Sequence, residues 1–204
     1  MNRRIVFTFL VLAAAAAVAQ AQTTDDFRTW STVGSAGTVD EADLSKIVLD
    51  HATAQFGQAL SNTSTTTTTA AKPAATLPVT TAVIRYNVVA VDGLFAPRVA
   101  APNARGHQLR LRYLATGAGG RVIARLIEVD FASGAETTLL TFDSNAFGAA
   151  TGYHDNFVAD CGPPRPFDFV KKAYYVEVTL IRSSVIVSAA GVQVIKVTTD
   201  VCPG

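Results

Sequence analysis

The chain has 204 residues, with 17 basic and 16 acidic side chains. A balance this close to neutral carries no long-range field to hold a polyanion, which argues against nucleic acid or an anionic membrane surface as a partner. The length leaves room for one domain with a substantial core.

The chain begins MNRRIVFTFLVLAAAAAVAQAQ, in which Arg3 and Arg4 precede an apolar run from Ile5 through Val18. Ala19 and Ala21 then flank Gln20 with the small side chains that a signal peptidase accepts, so residues 1–21 read as a secretory signal peptide. Cleavage is expected after Ala21, with the bond after Ala19 as the alternative. It leaves 183 residues with 15 basic and 16 acidic side chains, because Arg3 and Arg4 depart. No Cys follows the cleavage site to take a lipid, and no later apolar run is long enough to span a membrane. The mature protein is therefore expected to be secreted, periplasmic or at the cell surface, with no membrane insertion once the signal is gone.

Residues 39–62, VDEADLSKIVLDHATAQFGQALSN, have two local readings. As a helix, Asp40 caps it, acidic residues fill the first turn, and Leu44, Ile47, Val48, His51 and Ala52 recur at helical spacing. As strands, KIVL and ATAQF are short apolar pieces on either side of Asp50 and His51. Periodicity alone does not separate these readings.

Residues 61–78, SNTSTTTTTAAKPAATLP, either separate two domains or interrupt one. A first domain of residues 22–60, about forty residues with one Trp and no Cys, buries too little apolar surface to offset its ordering entropy. The Thr-rich stretch is thus read as a long surface loop within a single domain spanning 22–204, an insertion whose closure entropy rises only slowly with length. Asn62, Thr63 and Ser64 fit a glycosylation sequon, but the loop is read as unmodified.

From residue 79 the pattern is strand after strand. Residues 79–91 put Ala82, Ile84, Tyr86 and Val88 on one face, and residues 107–115 put Leu109, Leu111 and Tyr113 inward with Gln108, Arg110 and Arg112 toward water. Residues 121–131 and 136–144 flank ASGA, where Gly134 supplies the positive φ of a tight hairpin. GAGGR at 117–121 reads as a second hairpin turn. Residues 167–182 send Tyr174, Val176, Val178 and Leu180 one way, with Tyr175, Glu177 and Thr179 opposite, and residues 184–199 return through Ala189, Ala190 and Gly191. Strands spaced by turns without intervening amphipathic helices predict an all-β fold, an antiparallel two-sheet β-sandwich of jelly-roll-like form.

Cys161 and Cys202 are the only cysteines. In an exported chain the pair reads as a disulfide tying CGPPRP to the last residues, and closing a loop of about forty residues contributes roughly 4 kcal/mol in the chain-entropy treatment.

At WSTVGSAGTVDEADLSKIVL, VIRYNVVAVDGLF, TTLLTFDSN and FDFVKKAYYVEVTLIR the chain resembles a group of secreted bacterial proteins built as β-sandwich modules, over most of its mature length apart from the Thr-rich insertion. The resemblance implies strands at 46–49 and 52–56 rather than a helix. It implies no activity and no site residues.

The densest chemistry lies in TGYHDNFVADCG, residues 151–162, read as a polar loop holding Tyr153, His154, Asp155 and Asp160 before Cys161. A His beside carboxylates suits a general base or a metal, and calcium is the ion to consider because Asp and backbone oxygens suffice for it. The spacing matches no closed zinc pattern, and adjacent His154 and Asp155 would face opposite ways in a strand. GxSxG is absent, and His51 and His107 read as surface or boundary residues. Asp130, Asp143, Asp155, Asp160 and Asp168 sit near strand ends, a weak pointer to a carboxylate pair. Arg110, Arg112 and Arg125, with Glu128 and Glu177, form a candidate recognition face, although a solvated sheet surface laced with ion pairs is the favoured reading. Trp30, Tyr153 and Tyr175 are the aromatics free to stack on sugar.

These readings favour a non-enzymatic binding or extracellular assembly module, with a glycan or a second copy of the chain as partner, over a hydrolase using His154, Asp155 and Asp160. The segment TTDDFRTWSTVG is expected to add to a sheet edge, in its own chain or a neighbour.

Overall fold

The computed structural model describes residues 29–56, 77–90, 105–116, 119–148, 151–161, 167–184 and 189–202. The expected signal peptide, the sequon and most of the Thr-rich stretch lie outside them.

The described strands are β1 (Thr29–Val33), β2 (Thr38–Val39), β3 (Ile47–Asp50), β4 (Thr53–Phe56), β5 (Leu77–Val88), β6 (Arg105–Ala115), β7 (Gly120–Asp130), β8 (Glu136–Asp143), β9 (Tyr153–Asp160), β10 (Lys172–Ser184) and β11 (Ala190–Cys202). They form two antiparallel sheets. One runs β3-β4-β11-β6-β9, with β1 also paired to β11; the other runs β2-β5-β10-β7-β8. We call them the β11 sheet and the β10 sheet.

The pairing has a simple logic. β7 pairs with β8, β6 with β9, β5 with β10 and β4 with β11, as four nested rungs of one long hairpin. Rolling that hairpin brings β6 against β11 and β7 against β10, and alternate rungs fall into opposite sheets. This is the jelly-roll winding.

Alternation builds the core. Ala82, Ile84, Tyr86 and Val88 of β5 and Tyr174, Val176, Val178 and Leu180 of β10 are all buried, as are Leu109, Leu111 and Tyr113 of β6. Each large apolar side chain so enclosed contributes roughly 1.5–3 kcal/mol. Tyr86 also donates its hydroxyl to the Gly34 carbonyl at 2.6 Å. A Cβ on Gly34 would meet the Val192 carbonyl oxygen at 2.0 Å, so only glycine lets this backbone approach β11.

Several local readings meet a different structure. Residues 41–46 form a 3-10 helix, and Asp40 makes no side-chain cap to it. Strands β3 and β4 follow, closing a hairpin through His51 at φ 49°. The 3-10 helix lies along β5: Asp43 Oδ2 accepts from Val83 N at 2.8 Å, and Lys46 Nζ donates to the Thr81 carbonyl at 3.2 Å. Side chains thus stand where a neighbouring strand would otherwise pair with that stretch of edge. Strand β5 begins at Leu77, so the last two residues assigned to the Thr-rich loop belong to it. The β7–β8 turn at Gly134 has the expected positive φ, 69°, with Gly134 N donating to the Asp130 carbonyl. GAGGR is not a hairpin turn: it carries the chain from β6 in one sheet to β7 in the other. Likewise β10 and β11 lie in different sheets.

The early segment completes both layers. β1 and β4 share one side of β11 end to end, and β2 pairs with β5. The segment expected to add to a sheet edge does so in its own chain through Thr29–Val33. Trp30, read as free for a ligand, is buried in the core. His107, read as a boundary residue, is buried as well, its ring 4.7 Å from that of Phe167.

Candidate functional site

Residues 153–160, read as part of a polar loop, are not a loop. Tyr153–Asp160 is the edge strand β9, paired with β6 from Leu114 through His107. A strand sends successive side chains to opposite faces, and this divides the cluster. His154 turns toward the core, its ring 5.8 Å from that of buried Tyr113, and Asp160 is in register with His107. Asp155 turns outward, where Arg110 holds it through two bonds of 2.7 Å from Nε and Nη2. His154, Asp155 and Asp160 therefore do not converge on one reacting atom. Among the described residues no group of three or more His, Cys, Asp or Glu is placed to hold a metal ion.

What the strand does assemble is an outward surface. Register across the β11 sheet gives one row of Ser31, Lys196, Arg110 and Phe157, and beside it Val33, Val194, Arg112 and Asp155. Tyr153 lies two residues beyond Asp155, with the Arg112 guanidinium 5.7 Å from its ring centre. Phe157 is 51% exposed, the largest apolar side chain among those the sheet leaves in solvent, with Val33 and Val48 smaller exposed neighbours in the same sheet. Tyr153 and Phe157 are separated along β9 by about 13 Å at ~3.3 Å per residue, with the Arg110–Asp155 pair between them.

A bulge shapes this surface. Between Val192 and Val194 the β11–β6 register shifts by one residue, leaving Gln193 unopposed. Its Oε1 accepts from Arg112 Nε at 2.5 Å, which fixes the guanidinium beside Tyr153. The hydrogen bond from Arg110 holds the Asp155 carboxyl below its ordinary range against a desolvation cost, and the charges of Arg110, Lys196 and Arg112 assist. Asp155 is accordingly an acceptor, not an acid, at neutral pH.

The remaining candidates lie elsewhere. Arg125 and Tyr175 are on the outer face of the β10 sheet, so Arg125 shares no face with Arg110 and Arg112. Arg125 pairs with Glu177, and Tyr175 donates to Glu136 at 3.0 Å. Glu128 receives Lys172 and the Tyr174 hydroxyl at one end of the sandwich. Asp130, Asp143 and Asp168 each accept backbone N–H groups in adjacent turns, and Asp143 also holds Arg121. These carboxylates are occupied in holding turns.

Cys161 directly follows β9, and Cys202 ends β11 in register with Arg105. Since β6 runs between those strands, both cysteines come to the same end of β6. Among the described residues no cysteine is free.

Phe157, Gln193 and Lys196 were absent from the sequence candidates. The break in alternation at Val192-Gln193-Val194-Ile195 is the signal that would have located the bulge; an exposed Phe in a strand leaves no comparable mark.

No protein-family model matches the chain. No curated protein matches it in sequence. Among solved structures it is similar to infectious bursal disease virus, Gx strain (12% identity, TM-score 0.35) and Gt strain (12%, TM-score 0.34). In each case 87% of this chain aligns with 33% of that one. It is similar also to the enzymatically active domain of bacteriophage CBA120 tailspike protein 4 (13%, TM-score 0.35), with 84% of this chain covering 19% of that one. The chain thus spans a third or less of the proteins it resembles, and similarity this slight says nothing of what it binds. Among the described residues no helix is long and apolar enough to cross a membrane.

Proposed function

We propose that this chain is an exported, non-enzymatic binding module that takes a carbohydrate chain on the outer face of the β11 sheet. The observation that carries the reading is the placement of Tyr153 and Phe157 on either side of the Arg110–Asp155 pair along one strand. Aromatic rings stack on the C–H faces of sugars, and a fixed guanidinium–carboxylate pair offers donors and acceptors to hydroxyl groups. The spacing suits an oligosaccharide lying along β9 better than a single ring. Export rests on the leader pattern of residues 1–21. A Cys161–Cys202 bridge fits both that compartment and the meeting of the two residues at one end of β6; alkylation of the denatured, unreduced protein is expected to label neither Cys.

The test is affinity electrophoresis and calorimetry against a panel of soluble polysaccharides. At least one is expected to bind, and Phe157→Ala to weaken it roughly tenfold at unchanged Tm. Retention of full affinity by both Phe157→Ala and Tyr153→Ala, or failure of every polysaccharide to bind, overturns the reading.

A further inference from the structure

We infer that the carbohydrate taken by the β11 sheet is an anionic polymer bearing carboxylate groups, a uronate chain; the inference rests on the carbohydrate reading above. It follows from how charge is left on the two outer faces. On the outer face of the β10 sheet Arg85 meets Asp40 and Glu177, Arg125 meets Glu177 and Arg121 meets Asp143. On the β11 sheet Lys196 stands directly opposite Arg110, a like-charge pair that destabilises neighbouring strands. Asp155 answers Arg110. Arg112 and Lys196 have no ion-pair partner among the described residues. Asp50, a further carboxylate of that face, is two strands away from β11 and toward its Gly191 end.

The two cations are placed for a ligand. Arg112 is steadied by Gln193 and Tyr153, so its free N–H groups form a prepared fork, and a planar fork matches a carboxylate bidentately. Lys196, exposed and one diagonal step away, adds a point charge about 7–8 Å off. Arg112, on β6, borders the aromatic track and Lys196 lies one strand further in, on β11, so a polymer stacking on Tyr153 and Phe157 would present its carboxylates to Arg112 directly and to Lys196 across β6. Nucleic acid suits the surface less well, because the mature chain as a whole carries no net positive field.

The experiment compares polygalacturonate, alginate and hyaluronan with their carboxyl-reduced, neutral counterparts, using single-stranded DNA as a polyanion without uronate. At least one uronate polymer is expected to bind tenfold or more tightly than its reduced form. The preference should shrink as salt rises from 0.05 to 0.5 M, and Arg112→Gln and Lys196→Gln should each bring the ratio toward one with Tm unchanged. Equal binding of reduced and native polymers overturns the inference and leaves the carbohydrate reading standing. DNA bound as tightly as the best uronate overturns the inference too. Failure of every polysaccharide, neutral or charged, overturns the reading beneath it.

Discussion

The two outer faces come from the same period-two pattern and handle charge in opposite ways. Across the β10 sheet one row reads Thr38, Arg85, Glu177, Arg125 and Thr141, so that the central carboxylate lies between two guanidiniums. Glu177 is only 7% exposed although it points away from the core. Across the β11 sheet the matching row is Ser31, Lys196, Arg110 and Phe157, two cations side by side and then an exposed ring. One face pairs its arginines within itself, while the other is left with charge to share. A solvated sheet made only for stability would resemble the first. That difference is what supports the proposal that the second is the ligand surface.

The largest effect expected from breaking this contrast is at Glu177. Glu177→Ala leaves Arg85 and Arg125 facing one another across a vacated, largely desolvated position. Both guanidiniums remain about half exposed and Arg85 keeps Asp40, so the cost falls below that of a fully buried ion network. About 2 kcal/mol is expected, or a fall in Tm of roughly 4–8 °C at this chain length. A change under about 1 °C by calorimetry would mean that the ladder does not stabilise the fold.

A smaller effect appears with pH. Asp43, Asp143 and Asp155 are all held below the ordinary aspartate range, chiefly by hydrogen bonds from Lys46, Arg121 and Arg110. A carboxylate depressed in the folded state lends stability that is whole above its unfolded pKa and is lost as pH falls through the lower folded value. Tm is therefore expected to stay level from pH 7 to about 5 and to decline below about pH 4. Asp43 and Asp143 belong to the β10 side and Asp155 alone to the β11 face. The double variant Asp43→Asn/Asp143→Asn should remove more of this acid sensitivity than Asp155→Asn. Equal or reversed losses would contradict the assignment of self-satisfied charge to the β10 sheet.

The sequence carried the layers further than it carried the face. Alternation at Ala82, Ile84, Tyr86 and Val88, and again at Tyr174 through Leu180, is a direct imprint of one buried and one exposed side, so the sandwich was legible from it. Which strands meet was not, because GAGGR has turn composition whether the next strand pairs locally or crosses to the other sheet. The same limit set Arg125 beside Arg110 and Arg112, since outwardness is local and sheet membership is not. Tyr153 and Asp155 were found by crowding of polar residues, which also swept in His154 and Asp160; strand geometry then sorted them. Trp30 and His107 were misplaced because flanking polar residues outweighed burial that distant strands supply.

The smallest expected effect is the most discriminating. Arg125→Ala removes an ion pair with a desolvated carboxylate and is expected to cost about 1 kcal/mol, whereas Arg112→Ala and Lys196→Ala remove cations that make no salt bridge among the described residues and act on Asp155 only through their charge. These last two should leave stability within about 0.5 kcal/mol of the parent in chemical denaturation. Lys196→Ala should fall on the stabilising side, because it relieves the repulsion across to Arg110. A residue whose removal steadies the fold is retained for something other than the fold. If Lys196→Ala instead destabilised the protein as much as Arg125→Ala, the β11 face would be a second self-contained charge lattice, and nothing would then set it apart as a surface for a ligand.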